Sequence, residues 1–229
     1  MDDERAQMAA AADAESPWTA NFYPREGDSL GFDRLLFFSD AVFAIALTLI
    51  AVEIGIPEID EPDSVADLWA AISAKGPAVL AYVVTFTWVA IYWRANHRFA
   101  TTLRGVSGRF IAATLVFLGL IALLPLPAAV LGEYPNNPAA ITLFALYVSV
   151  ISTMEVVLFV VADRDHLFLR PMTYSFRKQS IIGGLSPLPG FFLSIPLAFV
   201  SPTMAIICWF VMSAVMGWAV SMWVPAKAP

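Results

Sequence analysis

The chain has 229 residues, of which 59% are hydrophobic and only 14% are charged, and its mean hydropathy is +0.72. This composition is more apolar than the core of a soluble domain requires. It predicts an all-α polytopic membrane protein whose main partner is the lipid bilayer. The formal net charge of −6 argues against nucleic acid as a partner, because phosphate binding requires a clustered cationic face.

The segment before the first apolar run is polar and has no apolar periodicity. It begins Met1-Asp2-Asp3-Glu4, acidic where a secretory signal is basic. We expect residues 1–32 to form a disordered cytoplasmic tail and the first apolar helix to act as the insertion signal. Residues 33–225 then form one membrane domain, and residues 226–229 form a short cytoplasmic C-terminus.

Six apolar segments have the length of about 20 residues that crosses roughly 30 Å of hydrocarbon. They lie near 34–55, 77–98, 108–131, 138–162, 181–200 and 203–224. The fifth is the weakest prediction, because Pro187, Pro189 and Pro196 remove backbone donors that neighbouring helices must replace. The pattern predicts six transmembrane helices in one chain.

Basic residues alternate with acidic residues along the connections. Arg and Lys lie before the first span, at 94–109, at 164–178 and after the last span, whereas the loop at 53–67 is acidic. Because basic loops stay in the cytoplasm, this alternation predicts a multi-pass protein of the cell (plasma) membrane with both termini cytoplasmic.

The first span begins with a polar cluster formed by Arg34, Phe38, Ser39 and Asp40, and an uncharged run over 41–52 follows it. An Asp inside hydrocarbon costs about 2.5–3.5 kcal/mol, so Asp40 should have a partner.

The second span offers partners for this cluster at the same depth. It runs back and ends with Trp93, Asn96 and His97, which lie on one face of a helix. We expect Ser39 and Asp40 to form hydrogen bonds with these side chains. Such bonds also occur as ordinary packing contacts between helices, and that role is compatible with a channel.

The same residues resemble a known family. The motif Arg34-x-x-x-Phe38-Ser39-Asp40 is followed, in order, by Tyr92-Trp93, Asn96-His97, Leu124-Pro125-Leu126-Pro127 and Leu131-Gly132-Glu133-Tyr134. Together they are similar to the signature of the transmembrane protein 175 (TMEM175) family of potassium channels, over roughly residues 30–225. One six-span repeat resembles the prokaryotic branch. The resemblance implies a homotetramer in which the first helices line a central pore, with potassium as the permeating ion and no cofactor.

The first helix presents a surface that suits such a pore. Ile45, Leu49 and Val52 fall on one stripe at i, i+4 and i+7, with Thr48 beside them. In a four-fold bundle these residues form apolar rings that gate by dewetting, although from the residues alone such a stripe is also typical of lipid-facing surface. The resemblance implies that Ile45 is the narrowest layer, Leu49 and Val52 are outer layers, and Thr48 contributes to a modest preference for potassium over sodium. We assign a structural hydrogen-bond network to the residues Arg34, Phe38, Ser39, Asp40, Trp93, Asn96 and His97.

Glu155 is a carboxylate inside the fourth span, which makes it a functional candidate. Its position is consistent with several alternative roles. These are a proton-binding group, an ion site, a salt-bridge partner of Arg109 or Arg94, and a carboxyl group that snorkels or is protonated against a neighbouring helix. It also supports an alternative function as a proton-coupled secondary transporter. With only two histidines and no catalytic or metal-binding motif, the sequence predicts neither an enzyme nor a metal site.

Overall fold

The computed structural model describes residues 22–25, 30–170 and 174–223. In this part of the chain nearly all regular structure is helical. The helices are α1 (Leu30–Val52), α2 (Val65–Ala74), α3 (Gly76–Ala100), α4 (Gly108–Leu123), α5 (Pro125–Glu133), α6 (Pro138–Arg164), α7 (Tyr174–Leu185), α8 (Leu188–Ala198) and α9 (Pro202–Trp223). Two short strands, β1 (Phe22–Pro24) and β2 (Gly105–Ser107), complete the described fold.

Within the described residues, six helical segments are long and apolar enough to cross a membrane, which confirms the predicted span count. They cover Gly31–Val52, Gly76–Ala100, Gly108–Glu133, Pro138–Arg164, Arg177–Ala198 and Pro202–Ala219. The third segment consists of α4 and α5, which meet where Pro125 occupies the first turn of α5. The fifth consists of α7 and α8, which are separated at Ser186 and Pro187. Proline lacks a backbone donor, so each of these two breaks follows from the sequence.

The core is formed by large aromatic side chains at the contacts between helices. Helix α1 packs against α3, α4 and α5, and α6 packs against α4, α5, α7 and α8. Trp88, Phe117, Phe144, Phe191 and Trp209 are almost completely buried. Lipid is as apolar as these side chains, so the close van der Waals contact between them, rather than exclusion from water, stabilises the packing.

The start of α1 is attached to the connection between α3 and α4. Strands β1 and β2 pair antiparallel with Tyr23 opposite Val106, and the Arg25 amide donates to the Arg104 carbonyl at 2.8 Å. The prediction that residues 1–32 form a disordered tail is therefore wrong for Phe22–Arg25, which this pairing orders, and for residues 30–32, which belong to α1. The rest of the predicted tail, residues 1–21 and 26–29, and the predicted C-terminus at 226–229 lie outside the described residues.

A second set of contacts joins this connection to the end of α6. Leu103 pairs with Phe168, and the amide of Arg104 donates to the carbonyl of Leu167 at 2.8 Å. The Asp165 carboxylate accepts hydrogen bonds from Ser107 and Arg109. We call this end of the molecule the basic side and the end that carries the 53–67 loop the acidic side. The contacts fix the ends of α1, α3, α4 and α6 relative to one another on the basic side.

Helix α2 lies on the acidic side within the segment that the sequence analysis assigned to an acidic loop. The Ser64 hydroxyl accepts a hydrogen bond from the Asp67 amide and so caps its first turn. None of its residues is buried. This helix was not predicted.

Candidate functional site

Helix α1 has one face in the core of the molecule. Phe43, Ala46 and Ile50 are each at most 2% exposed. Phe43 packs against Phe117 of α4, with the ring centroids 6.1 Å apart. This face determines how α1 is rotated within the domain.

The opposite face of α1 carries the four residues that were predicted to line a pore. Ile45, Leu49 and Val52 are 58%, 45% and 72% exposed. The Thr48 hydroxyl is also exposed and donates a hydrogen bond to the Ile45 carbonyl at 2.8 Å. The structure therefore brings these four side chains together on a face that is free to meet lipid, another copy of the chain or water.

Arg34 and Phe38 lie on the same side of α1, because residues 34, 38, 41, 45 and 52 follow one helical stripe. Both side chains are exposed. Arg34 has no hydrogen bond or ion pair with a described residue. Among the described residues, neither side chain has a hydrogen bond or ring contact with Trp93, so the grouping of Arg34 and Phe38 with that residue stays a prediction. Helical spacing extends the exposed stripe to the basic side.

Asp40 lies on another side of α1, about 140° around the helix from Ile45, and contacts α3. Its Oδ1 atom accepts a hydrogen bond from the Trp93 Nε1 atom at 2.9 Å. The Trp93 ring stacks on the His97 ring one turn further along α3, at 5.4 Å between centroids and 25° between planes. Two stacked rings thus hold the indole N–H toward α1, and the carboxylate has the partner that its depth in the membrane requires.

Ser39 does not take part in this contact. Its buried hydroxyl donates to the Leu35 carbonyl one turn earlier in α1, at 2.8 Å. The prediction for Ser39 is wrong because a serine inside a helix readily bonds the carbonyl at i−4. Asn96 and His97 line a cavity of about 210 Å³ together with Asp40. Within the described part of the chain neither of them forms a side-chain hydrogen bond with α1, and His97 contributes by supporting Trp93.

Arg25 is a residue of this region that the sequence analysis did not assign to the site. Its guanidinium donates to the Thr101 carbonyl at 3.1 Å and lies 5.7 Å from the centroid of the Phe32 ring. It therefore connects the start of α1 to the end of α3 below the Asp40–Trp93 pair. The only sequence signal for this role was a basic residue before the first apolar run. Such a residue does not reveal that its partner, Thr101, lies 76 positions away.

Glu155 lies in α6 away from α1. Arg109, one of its two predicted partners, forms an ion pair with Asp165 instead. Arg94, the other one, has no ion pair with a described residue. Glu155 borders a groove between α3, α6, α7 and α9 that also reaches α4 but includes no residue of α1. The structure therefore gives the transporter alternative no coupling between Glu155 and the stripe of α1.

Comparisons with known proteins agree with this arrangement. The sequence profile of the family described as endosomal/lysosomal potassium channel TMEM175 matches residues 34–125. A Streptomyces collinus protein named a potassium channel is 31% identical over 177 residues, which cover 73% of this chain and 82% of that protein. A Chryseobacterium protein, also named a potassium channel, is 32% identical over 121 residues, or 52% of this chain and 59% of that protein.

A solved structure shares the fold. The crystal structure of a lysosomal potassium-selective channel TMEM175 homolog from Chamaesiphon minutus matches with a TM-score of 0.65 and 24% identity. The match covers 82% of this chain and 97% of that one. The Streptomyces relative is more than 30% identical over most of both chains, and the profile covers α1 through α4. This chain therefore belongs to the TMEM175 family.

Proposed function

We propose that four copies of this chain form a passive potassium channel, modestly selective over sodium, in which α1 lines the central pathway. The observation that carries the proposal is the free face of α1, which presents Ile45, Thr48, Leu49 and Val52 opposite a fully buried face. The names of the bacterial relatives support potassium as the ion.

The chemistry of the stripe suits a constriction. Four-fold rings of Ile45, Leu49 and Val52 place only apolar atoms around a narrow axis, where water is held weakly and an ion must lose part of its hydration shell. Potassium loses this shell more easily than sodium, which gives the expected modest preference. Thr48 directs its hydroxyl proton to the Ile45 carbonyl. The remaining lone pairs of its oxygen therefore point away from the helix, available to a partly dehydrated cation.

Contacts outside the stripe hold α1 in position. The Asp40–Trp93 hydrogen bond joins α1 to α3 inside the membrane, and the β1–β2 pairing with Arg25 joins the two helices at the basic side. In this proposal Asp40 is a positioning residue rather than a permeation ligand. Arg34 and Phe38, on the exposed stripe, form the entrance on the basic side.

Charge at the two ends fits movement of cations through the plasma membrane. The acidic side carries exposed carboxylates that raise the local concentration of cations, with Lys75 as the basic residue on that side. These carboxylates are Glu53, Glu58, Asp60, Glu61, Asp63 and Asp67. The basic side faces the cytoplasm in this proposal, as expected from the distribution of Arg and Lys.

A planar bilayer with potassium on one side and sodium on the other tests the proposal. We expect unitary currents that reverse toward the potassium potential for the wild type, and a reversal potential closer to zero for Ile45→Asn. Ile207→Asn is the matched control, because Ile207 is 53% exposed on α9 and the chemical change is the same. An unchanged reversal potential in Ile45→Asn, or an equal change in the control, contradicts a constriction at Ile45.

The assembly is tested separately by the native mass of the purified protein. We expect a species of four chains, and we expect it to persist in Ile45→Asn, because the Ile45 side chain is mostly exposed in the single subunit. A monomer or dimer that still conducts contradicts a four-fold pore.

A further inference from the structure

A groove of about 830 Å³ runs between α3, α6, α7 and α9 from the middle of the membrane domain to its basic side. Its deep end is at Trp88, near the centre of α3, and its rim includes Arg98 and Thr102 at the end of that helix. The volume lies within the range of roughly 300–1,000 Å³ that is typical of small-molecule sites.

The wall of the groove is mainly aromatic. Trp88 packs against Phe210 with the ring centroids 5.8 Å apart, and Phe99 packs against Phe159 and Phe168 at 6.2 and 5.9 Å. These contacts fix the rings, so the groove is formed before a ligand arrives. Aromatic faces attract organic cations, and a hydrophobic site lined by several rings favours an ammonium group over an anion.

Glu155 is the one carboxylic acid among the described residues that line this groove. Its side chain has no hydrogen bond or ion pair with a described residue, and an unpaired carboxylate within hydrocarbon is costly. A ligand that donates hydrogen bonds from a positive charge removes this cost. The groove therefore combines an unpartnered acceptor with an apolar and aromatic surface.

The order of the charges argues against an anionic occupant. Both charged groups line the groove, but Glu155 is only partly exposed, whereas Arg98 is exposed at the rim. An anionic head group drawn in by Arg98 would therefore meet the Glu155 carboxylate within the same groove.

We propose that this groove binds a hydrophobic ammonium compound, with its charged nitrogen on the Glu155 carboxylate and its apolar chain along the aromatic wall toward Trp88. Octylamine is a simple compound that combines these two features. The proposal does not depend on ion conduction.

Titrations of the purified full-length protein with octylamine, octanol and octanoate test this site, with binding followed by tryptophan fluorescence. The three probes share a chain length and differ in charge, and each is titrated into both the wild type and Glu155→Gln, so that its partition into detergent is the same for the two proteins. We expect octylamine to bind at least about tenfold more tightly than the other two, because hydrogen bonds to charged groups are the strong ones.

Two variants separate the contributions of charge and shape. Glu155→Gln keeps the volume of the side chain and should abolish the preference for octylamine over octanol, whereas Glu58→Gln in the exposed acidic loop should preserve it. Gly183→Leu should weaken all three probes, because Gly183 lines the groove and an added Cβ there has no atom within 4 Å. Gly183→Leu also tests the site if Glu155→Gln fails to fold.

The proposal is overturned by any of three results. These are a preference for octylamine that survives in Glu155→Gln, octanoate binding as tightly as octylamine to the wild type, and an absence of saturable binding by the wild type. The second result would indicate an anionic lipid held by Arg98 instead.

Discussion

Replacing Trp93 by phenylalanine removes one hydrogen-bond donor from α3 and leaves an aromatic ring to stack on His97. The lost bond is the 2.9 Å contact from the Trp93 Nε1 atom to Asp40. Interhelical hydrogen bonds in membranes average about 0.6 kcal/mol and reach about 1.7 kcal/mol. An ionised acceptor strengthens such a bond above this average. We therefore expect the pair to contribute about 1 kcal/mol per subunit.

A double-mutant cycle measures this value directly. Asp40→Ala, Trp93→Phe and the double variant are unfolded reversibly in mixed detergent micelles, and the free energies of unfolding are compared with the wild type. The coupling energy between the two substitutions should be about 1 kcal/mol. Ser39→Ala is the internal control, because its hydroxyl bonds within α1, and it should show no coupling to Trp93→Phe.

Two results refute this reasoning. A coupling energy within about 0.3 kcal/mol of zero means that the contact does not join α1 to α3 in the folded protein. A normal assembly of Asp40→Ala combined with an altered ion preference means that Asp40 acts in permeation rather than in positioning.

Three further predictions follow from named contacts. Gly132→Ala should lower the free energy of unfolding by about 1–3 kcal/mol, because the added Cβ atom would lie 3.1 Å from the Ala78 Cα atom. Gly119→Ala should raise the free energy of unfolding by up to about 1 kcal/mol, because the added Cβ atom has no neighbouring atom within 4 Å. Equal effects of the two substitutions would contradict the close approach of α5 to α3. Ser107→Ala should cost about 0.5–2 kcal/mol in the same unfolding assay through loss of the cap on the first turn of α4, and a neutral result would contradict that cap. Thr48→Val should leave stability unchanged and move the potassium–sodium reversal potential toward zero, and an unchanged potential would show that the hydroxyl does not contact the ion.

The transmembrane spans were predictable because hydropathy over about 20 residues reports burial in lipid without reference to tertiary contacts. The first predicted span, 34–55, overlaps the observed Gly31–Val52, and the fourth, 138–162, nearly coincides with Pro138–Arg164. Their boundaries differ by a few residues where caps and proline determine the end of a helix.

The elements that the sequence analysis missed depend on distant or easily masked signals. The pairing of Tyr23 with Val106 joins residues far apart in the chain, and three-residue strands carry no periodicity of their own. Helix α2 did have a local signal, because Ser64 caps it and Leu68 and Ile72 share one face. Because acidic residues surround this signal, the sequence analysis assigned the whole segment to a loop.

In the candidate site, contacts that follow from helical spacing were predictable and longer-range surroundings were not. The Asp40–Trp93 bond was predictable because both side chains lie at a similar depth in the membrane, near the basic side. The bond from Ser39 to its own helix and the exposure of Phe38 also follow from α-helical geometry, and they were overlooked. The groove around Glu155 was not predictable, because it depends on how α7 and α9 pack against α3.

Cysteine accessibility tests the central proposal, that the exposed stripe of α1 lines the conducting pathway, most directly. In a Cys208→Ala background, Val52→Cys, Leu49→Cys, Ile45→Cys and the control Ile207→Cys are treated during current recording with a charged, membrane-impermeant thiol reagent. We predict that modification blocks the current in Val52→Cys and has no effect in Ile207→Cys, whose side chain is exposed on α9 rather than on the stripe of α1. Persistent current after treatment of all three α1 variants, or block through Ile207→Cys alone, would contradict the account.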